Sequence, residues 1–167
     1  MSKRPKYWNS AVKYLSKKDP VMKKLISHYK DKTLTTRKDI FYSLCKSIIG
    51  QQISVQAANS VFKKFENKSF DPNKIKFMTD EEAIIYLSSL RQIGRWSAEM
   101  ILLFTLNRPD IWPVQDIGLL RSISNNYKKK YFPPKKFVEF LRKKFTPYCS
   151  VATWYLWRSI DDEPIQY

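Results

Sequence analysis

Apolar residues recur at spacings of three and four along most of the chain, which is the pattern of amphipathic helices. Phe41, Leu44, Cys45, Ile48 and Ile49 are one such set. Runs that alternate apolar and polar residues are few, and the sequence contains only three glycines, which argues against a β-sandwich or barrel. We therefore predict an all-α protein whose 167 residues form one compact domain.

Capping signals predict where several helices begin. Asp19 followed by Pro20 is typical of an N-cap and a first helical position, so a second helix is expected directly after a first one through Trp8. Thr79 and Glu82 have the spacing of a capping box, which predicts a helix that leads into residues 90–104.

Residues 90–104, LRQIGRWSAEMILLF, predict a tight turn between two helices, with Gly94 at its centre. We expect Gly94 to provide backbone freedom and a close approach that a side chain would block. Such a turn directs backbone N–H groups outward at the start of the next helix, where they can bind a phosphate. The helix from Trp96 to Thr105 is apolar on nearly every side and is predicted to be buried.

Asp116 is the candidate reactive carboxylate. Asn107, Pro109 and Pro113 interrupt the helical pattern and the sequence PVQDIGLLR restarts it, which places Asp116 at or near a helix start. The helix dipole favours a charged carboxylate at that position. The local pattern leaves two interpretations open, a helix cap and a functional carboxylate.

The charge balance favours a polyanionic partner. Thirty-one Lys and Arg residues against fifteen Asp and Glu residues give a formal charge of +16, although such lysines can also simply cover a solvated surface. Two cysteines and one histidine are too few for a zinc or iron–sulfur site, so no metal is expected from these side chains. No apolar run has membrane length, and we expect no membrane contact and a cytoplasmic protein.

Three stretches resemble the helix-hairpin-helix DNA glycosylases, and within them the 3-methyladenine DNA glycosylase II branch. They are residues 90–121 (LRQIGRWSAEMILLFTLNRPDIWPVQDIGLLR), 41–65 (FYSLCKSIIGQQISVQAANSVFKKF) and 147–157 (PYCSVATWYLW). The resemblance implies a single glycosylase domain over residues 1–167, with the hairpin at about 87–105 and an active-site cleft near it.

The resemblance also implies roles for individual residues. Asp116 would be catalytic, and the base pocket would contain Trp96, Trp157 and Tyr148. Gln52 would enter the duplex where the target base leaves, unless it is simply a polar residue in an exposed turn. The implied DNA-binding residues are Gln51, Gln52, Gln92, Ile93, Gly94, Arg95 and Ser97.

The implied activity is removal of alkylated purines, chiefly 3-methyladenine, from double-stranded DNA during base excision repair, after the base flips out of the duplex. Relatives that also cut the strand carry a lysine two residues after the hairpin glycine, where this chain has Trp96, so no lyase activity is expected. We expect a monomer associated with the nucleoid through DNA. It would need no cofactor, although the family's hairpin can hold a monovalent cation through backbone carbonyls.

The sequence departs from the family in three places. About two dozen residues usual between the counterparts of Phe65 and Thr79 are missing, Gln92 replaces a hairpin glycine, and Cys149 replaces a frequent arginine. A DNA-binding module without catalysis is therefore the alternative hypothesis, and a strand-nicking repair enzyme is a weaker one.

Overall fold

The computed structural model describes residues 4–35, 63, 70–90 and 93–160, and these residues form helices joined by turns. They contain no β-strand, which confirms the all-α prediction. The backbone divides into two compact units, a terminal unit of residues 1–36 and 108–166 and a middle unit that contains residues 37–107. A single domain over residues 1–167 stays a prediction.

The described residues contain seven α-helices and one 3₁₀ helix. They are α1 (Trp8–Lys18), α2 (Pro20–His28), a 3₁₀ helix (Pro72–Phe77), α3 (Asp80–Ser88), α4 (Arg95–Phe104), α5 (Ile117–Tyr127), α6 (Lys135–Phe145) and α7 (Cys149–Arg158).

Two predicted helix starts are confirmed in detail. Asp19 precedes α2 with an extended backbone, and its carboxylate accepts the N–H of Met22 at 3.0 Å, while Pro20 occupies the first helical position. Thr79 and Glu82 form a complete capping box at α3, with both side-chain to backbone hydrogen bonds present. These signals succeed because a cap is satisfied by residues three positions apart, which the sequence displays directly.

Helix α7 is the centre of the terminal unit. All ten of its residues are buried, and it packs against α1, α2, α5 and α6. Trp8 of α1 lies edge-on to Trp154 of α7 at 5.2 Å and tilted against Tyr155 at 5.6 Å between ring centroids. Because each large apolar side chain contributes roughly 1.5–3 kcal/mol when it is fully buried, α7 is the least replaceable part of this core.

A partly buried ion pair joins the start of α2 to α6. The carboxylate of Asp19 accepts hydrogen bonds from Lys144 at 2.6 Å and from the Tyr127 hydroxyl at 3.0 Å. Burial on its own would raise the pKa of Asp19, but the hydrogen bonds from Lys144, the Met22 N–H and Tyr127 outweigh it and lower that pKa. The carboxylate is therefore a structural anchor between elements that are far apart in sequence.

The middle unit contains the predicted hairpin, in which α3 and α4 pack together. Helix α4 is buried from Ser97 to Leu103, as its apolar sequence predicted. In the terminal unit, Ile117 is the first residue of α5 and is 63% exposed, although a buried face through Ile117 and Ile123 was expected from the apolar spacing. The buried stripe of α5 runs instead through Leu119, Ser122 and Ile123, because successive positions turn by about 100° and the first residue lies off that stripe.

Candidate active site

Asp116 is the N-cap of α5, as its position after Pro113 predicted. Its carboxylate oxygen Oδ1 accepts the N–H of Leu119 at 2.5 Å and the indole N–H of Trp157 at 2.7 Å. Asp116 is 8% exposed and Trp157 is 2% exposed. A carboxylate is therefore held at a helix N-terminus by two donors, one from its own helix and one from α7.

The segment that leads to Asp116 is fastened to the start of α7. The Ser150 hydroxyl donates to the carbonyl of Arg108 at 2.6 Å and accepts the N–H of Ile111 at 2.9 Å. The N–H of Ser150 donates to the Pro109 carbonyl at 3.0 Å, and the N–H of Cys149 donates to the Asp110 carboxylate at 3.1 Å. The Arg-Pro-Asp motif thus has a structural role, since it binds the residues before Asp116 to the helix that carries Trp157.

Gly118 is a site residue that the sequence analysis missed. A Cβ atom at this position would lie 3.1 Å from Oδ1 of Asp116 and 3.4 Å from both Cδ1 and Nε1 of Trp157. Any residue larger than glycine at position 118 would therefore crowd the contact between Asp116 and Trp157. The one available signal was a glycine in the first turn of a helix, where glycine is otherwise unfavourable.

Tyr148 and Trp157 stand at opposite ends of α7. Tyr148 is the N-cap residue, and its ring lies 5.5 Å from Tyr14 and 6.4 Å from Tyr7. The two are nine positions apart, which corresponds to about 13 Å along the helix axis. The structure therefore brings Trp157 to Asp116 and places Tyr148 in a tyrosine cluster at the other end. A base-pocket role for Tyr148 stays a prediction.

Gly94 is the N-cap of α4, in the middle unit, and it is exposed. Its φ of −81° is open to any residue, so the expected need for special backbone freedom is wrong. Among the described residues, a Cβ at Gly94 would meet no atom within 4 Å. No side-chain cap is present at this helix start among the same residues, so the backbone there is open to close approach.

The other hairpin residues differ in what they expose. Arg95 makes a bidentate ion pair with Glu81, with both N–O distances at 2.7 Å, and a longer one with Glu99 at 3.2 Å. The hydrogen bond to Glu81 raises the pKa of Arg95 further, so the guanidinium stays charged while its charge is compensated. Ile93 and Ser97 are buried, and their predicted contact with DNA stays a prediction.

Trp96 is half-buried at the second position of α4. A shared pocket with Trp157 stays a prediction. Gln51, Gln52 and Gln92 lie outside the described residues, as does the block from Phe41 to Ile53. The roles predicted for them stay predictions.

The part of the chain that the structure describes contains no cluster of three or more His, Cys, Asp or Glu side chains able to hold a metal ion. At the hairpin, the carbonyl of Leu90 accepts the Ile93 N–H at 3.1 Å. A monovalent cation held by hairpin carbonyls stays a prediction. None of the described helices has the length and apolar character to cross a membrane.

No protein-family model matches the chain. It is 24% identical over 180 residues to DNA-3-methyladenine glycosylase 1 of Schizosaccharomyces pombe, covering 81% of this chain and 79% of that protein. It is 36% identical over 89 residues to the Bacillus subtilis protein named putative DNA-3-methyladenine glycosylase YfjP, covering 53% of this chain but only 31% of the relative.

Among solved structures, the fold is similar to the Schizosaccharomyces pombe 3-methyladenine DNA glycosylase Mag1 in complex with abasic DNA. The TM-score is 0.63 at 23% identity, and the match covers 90% of this chain and 96% of the other. At this identity the likeness establishes the fold, and that fold agrees with the resemblance of the three sequence stretches.

Proposed function

We propose that this chain, which belongs to the helix-hairpin-helix DNA glycosylase superfamily, is a monofunctional glycosylase that excises alkylated purines, chiefly 3-methyladenine, from double-stranded DNA. One observation carries the proposal: Asp116 is a buried helix cap whose carboxylate is oriented by Leu119 and Trp157. The names of the relatives support an alkylbase glycosylase in DNA repair.

The reaction breaks the bond between C1′ of the deoxyribose and the base nitrogen. The bonding electron pair leaves with the base, so a purine made cationic by methylation departs as a neutral molecule and needs little help from an acid. Positive charge develops on the sugar, water adds to C1′, and a proton is released to solvent. The products are a free base and an intact abasic strand. The protein has to stabilise the developing cation and to hold the flipped nucleotide in the orientation that lets the base leave and water add to C1′.

Asp116 supplies the fixed negative charge. A unit charge about 4 Å from a developing oxocarbenium ion contributes roughly 4 kcal/mol at an effective dielectric near 20. That energy corresponds to about a thousandfold in rate. The carboxylate can act by stabilising the cation or by also orienting the attacking water, and a single oriented carboxylate is sufficient for either role. Val114 and Ile117, which flank it in sequence, are exposed apolar residues suited to contact with a sugar.

The start of α4 supplies the grip on the backbone. A phosphate can approach Gly94 closely because no Cβ is present, and the uncapped helix start favours an anion. The half-buried Trp96 offers an aromatic face to a cationic base, and such a contact contributes roughly 0.5–2 kcal/mol. The formal charge of +16 adds a general attraction to DNA.

The experiment is to incubate methylated duplex DNA with the purified protein and to separate the released bases by chromatography. The parent protein should release 3-methyladenine, and Asp116→Asn should reduce the rate at least about a hundredfold. Asparagine retains the cap geometry, so binding to a duplex with an abasic-site analogue should stay within about twofold.

Two further readouts of the same reaction test the rest of the proposal. Borohydride should trap no covalent complex, because Trp96 stands where a Schiff-base lysine would be. If the parent protein binds DNA but releases no base, the DNA-binding module replaces the glycosylase.

A further inference from the structure

We propose that Trp157 is a positioning residue for Asp116, acting through its indole N–H, and that Gly118 is required because it leaves room for this contact. The inference rests on the proposed function, since its consequence is a rate. It assigns Trp157 to the carboxylate rather than to the damaged base.

The contact between Trp157 and Asp116 is short and enclosed. The indole N–H donates to Oδ1 at 2.7 Å, and 41 positions of sequence separate the two residues. Oδ1 also accepts the N–H of Leu119. Two donors that converge on one oxygen from different helices fix both the position of that oxygen and the rotation of the carboxylate about its last bond.

Burial of the Trp157 ring argues for this role and against stacking on a base. Only 2% of Trp157 is exposed, although a ring that receives a flipped base must present a face. The pyrrole edge of the ring, with Cδ1 and Nε1, is the part that adjoins Gly118 and Asp116. Trp96, by contrast, is half-buried and has ring surface to offer.

Gly118 is the counterpart of Trp157 in this arrangement. A Cβ would stand 3.1 Å from Oδ1 and 3.4 Å from Nε1, so the carboxylate or the ring would have to move by a few tenths of an ångström. Such a displacement disturbs the hydrogen bond without removing either partner. Gly118→Ala is therefore a geometric test of the same contact that Trp157→Phe tests chemically.

The expected effect falls on the chemical step. Without the N–H, the carboxylate keeps its charge and its helix cap but loses its fixed orientation, so transition-state stabilisation declines while DNA binding is preserved. Trp157→Phe should lower the single-turnover rate at saturating protein about ten- to a hundredfold. Its affinity for a duplex with an abasic-site analogue should stay within about twofold.

Trp154→Phe is the matched control, because it makes the same substitution in another buried tryptophan of α7, whose ring packs on Trp8. It removes an equal volume from the core but leaves Asp116 untouched. We expect less than about a threefold change in its rate. Trp157→Leu should be as slow as Trp157→Phe, since both lack the N–H. If stacking were the role of Trp157, phenylalanine would largely preserve the rate and leucine would not.

A spectroscopic measurement tests the contact without any activity. The chain has five tryptophans, so a ¹H–¹⁵N spectrum should show five indole cross-peaks, of which Trp157→Phe removes one. That cross-peak should shift in Asp116→Asn and in Gly118→Ala more than the other four. Gly118→Ala also keeps the test open if Trp157→Phe does not fold, and it should lower the rate at least about tenfold.

The outcomes separate the two proposals. An active parent protein with a slow Trp157→Phe and a nearly normal Trp154→Phe supports positioning. An active parent with full activity in Trp157→Phe or in Gly118→Ala overturns it while leaving the glycosylase intact. An inactive parent overturns the proposed function first and the catalytic meaning of the contact with it, even if the indole cross-peak shifts as expected.

Discussion

The starts of α4 and α5 are built in opposite ways. At α4 the N-cap is the exposed Gly94, and the described residues provide neither a side-chain cap nor an atom within 4 Å of where its Cβ would be. At α5 the N-cap is the buried Asp116, and a Cβ on nearby Gly118 would press on its carboxylate. A glycine near a helix start thus leaves the backbone open in one case and makes room for an internal contact in the other.

This contrast distinguishes a candidate anion-binding site from a candidate reactive site, although both are N-terminal ends of helices. A helix start that lacks its own cap favours an anion from outside, whereas a start already capped by a carboxylate presents that negative charge itself. The first suits a DNA phosphate, and the second suits a developing cation. The start of α2, capped by Asp19, provides a purely structural reference for both.

The largest effect on stability is expected for a substitution of Asp19, the cap of α2. Asp19→Asn keeps a cap-forming side chain but removes the charge that pairs with the partly exposed Lys144, and a hydrogen bond to a charged group contributes roughly 1.5–3 kcal/mol. Chemical denaturation of the parent and of Asp19→Asn should show this loss, while the single-turnover rate of the folded protein stays unchanged. Asp116→Asn should instead lower the single-turnover rate and leave the stability nearly unchanged. A loss of rate in Asp19→Asn without a loss of stability would contradict the division between structural and reactive caps.

The same substitution should change the response to acid. The folded-state pKa of Asp19 lies below its unfolded value of about 3.9, so the charged carboxylate stabilises the fold above that value. This stabilisation is lost as the pH falls below about 4 and through the folded pKa. Unfolding free energies measured from pH 6 downward should therefore decline less steeply in Asp19→Asn than in the parent.

Gly94→Ala tests the other side of the comparison, with an intermediate effect. The new methyl group meets no atom of the described part of the chain, so the melting temperature should not fall, but it would obstruct a phosphate at the start of α4. Affinity for duplex DNA should decrease about tenfold, with an unchanged single-turnover rate at saturating protein. Fluorescence anisotropy and base release measure the two quantities. Gly118→Ala should instead lower the single-turnover rate and leave the affinity for DNA unchanged. If both variants changed the same quantity, the distinction between the two helix starts would be lost.

Glu81→Gln should produce the smallest effect. The exposed ion pair with Arg95 contributes at most about 1 kcal/mol to stability, but it offsets a positive charge at the hairpin. Its removal should therefore strengthen duplex binding a few-fold and steepen the dependence of affinity on salt. Glu139→Gln is the matched control, since Glu139 is paired with Arg142 on α6 and carries the same charge. If both substitutions strengthen binding equally, the change in net charge is sufficient to explain the result.

The sequence predicted the features that depend on neighbouring residues. The cap at Asp19, the capping box at Thr79, the buried helix after Gly94 and the position of Asp116 at a helix start all follow from residues within about four positions of one another. The family resemblance added their order, and the fold agrees with it.

The features it did not predict depend on residues that are distant in sequence. Trp157 reaches Asp116 across 41 positions, and Lys144 reaches Asp19 across 125. Arg95, which the resemblance implies to be a DNA-binding residue, shares its charge with Glu81 in the preceding helix. Gly118 carried a local signal whose meaning required the position of the indole ring. No periodicity encodes such contacts, because they arise only when helices pack.

The attachment of residues 108–111 to Ser150 has a thermodynamic consequence. Because Ser150 and Trp157 belong to one buried helix, the backbone that leads to Asp116 and the donor that holds its carboxylate are immobilised by the same core. The conformational entropy of residues 108–111 and of the Asp116 side chain is lost when the chain folds. Substrate binding therefore carries little additional entropic cost for ordering them. Hydrogen exchange at the Trp157 indole should then require global unfolding, and heat should abolish the reactive geometry and the fold in a single transition.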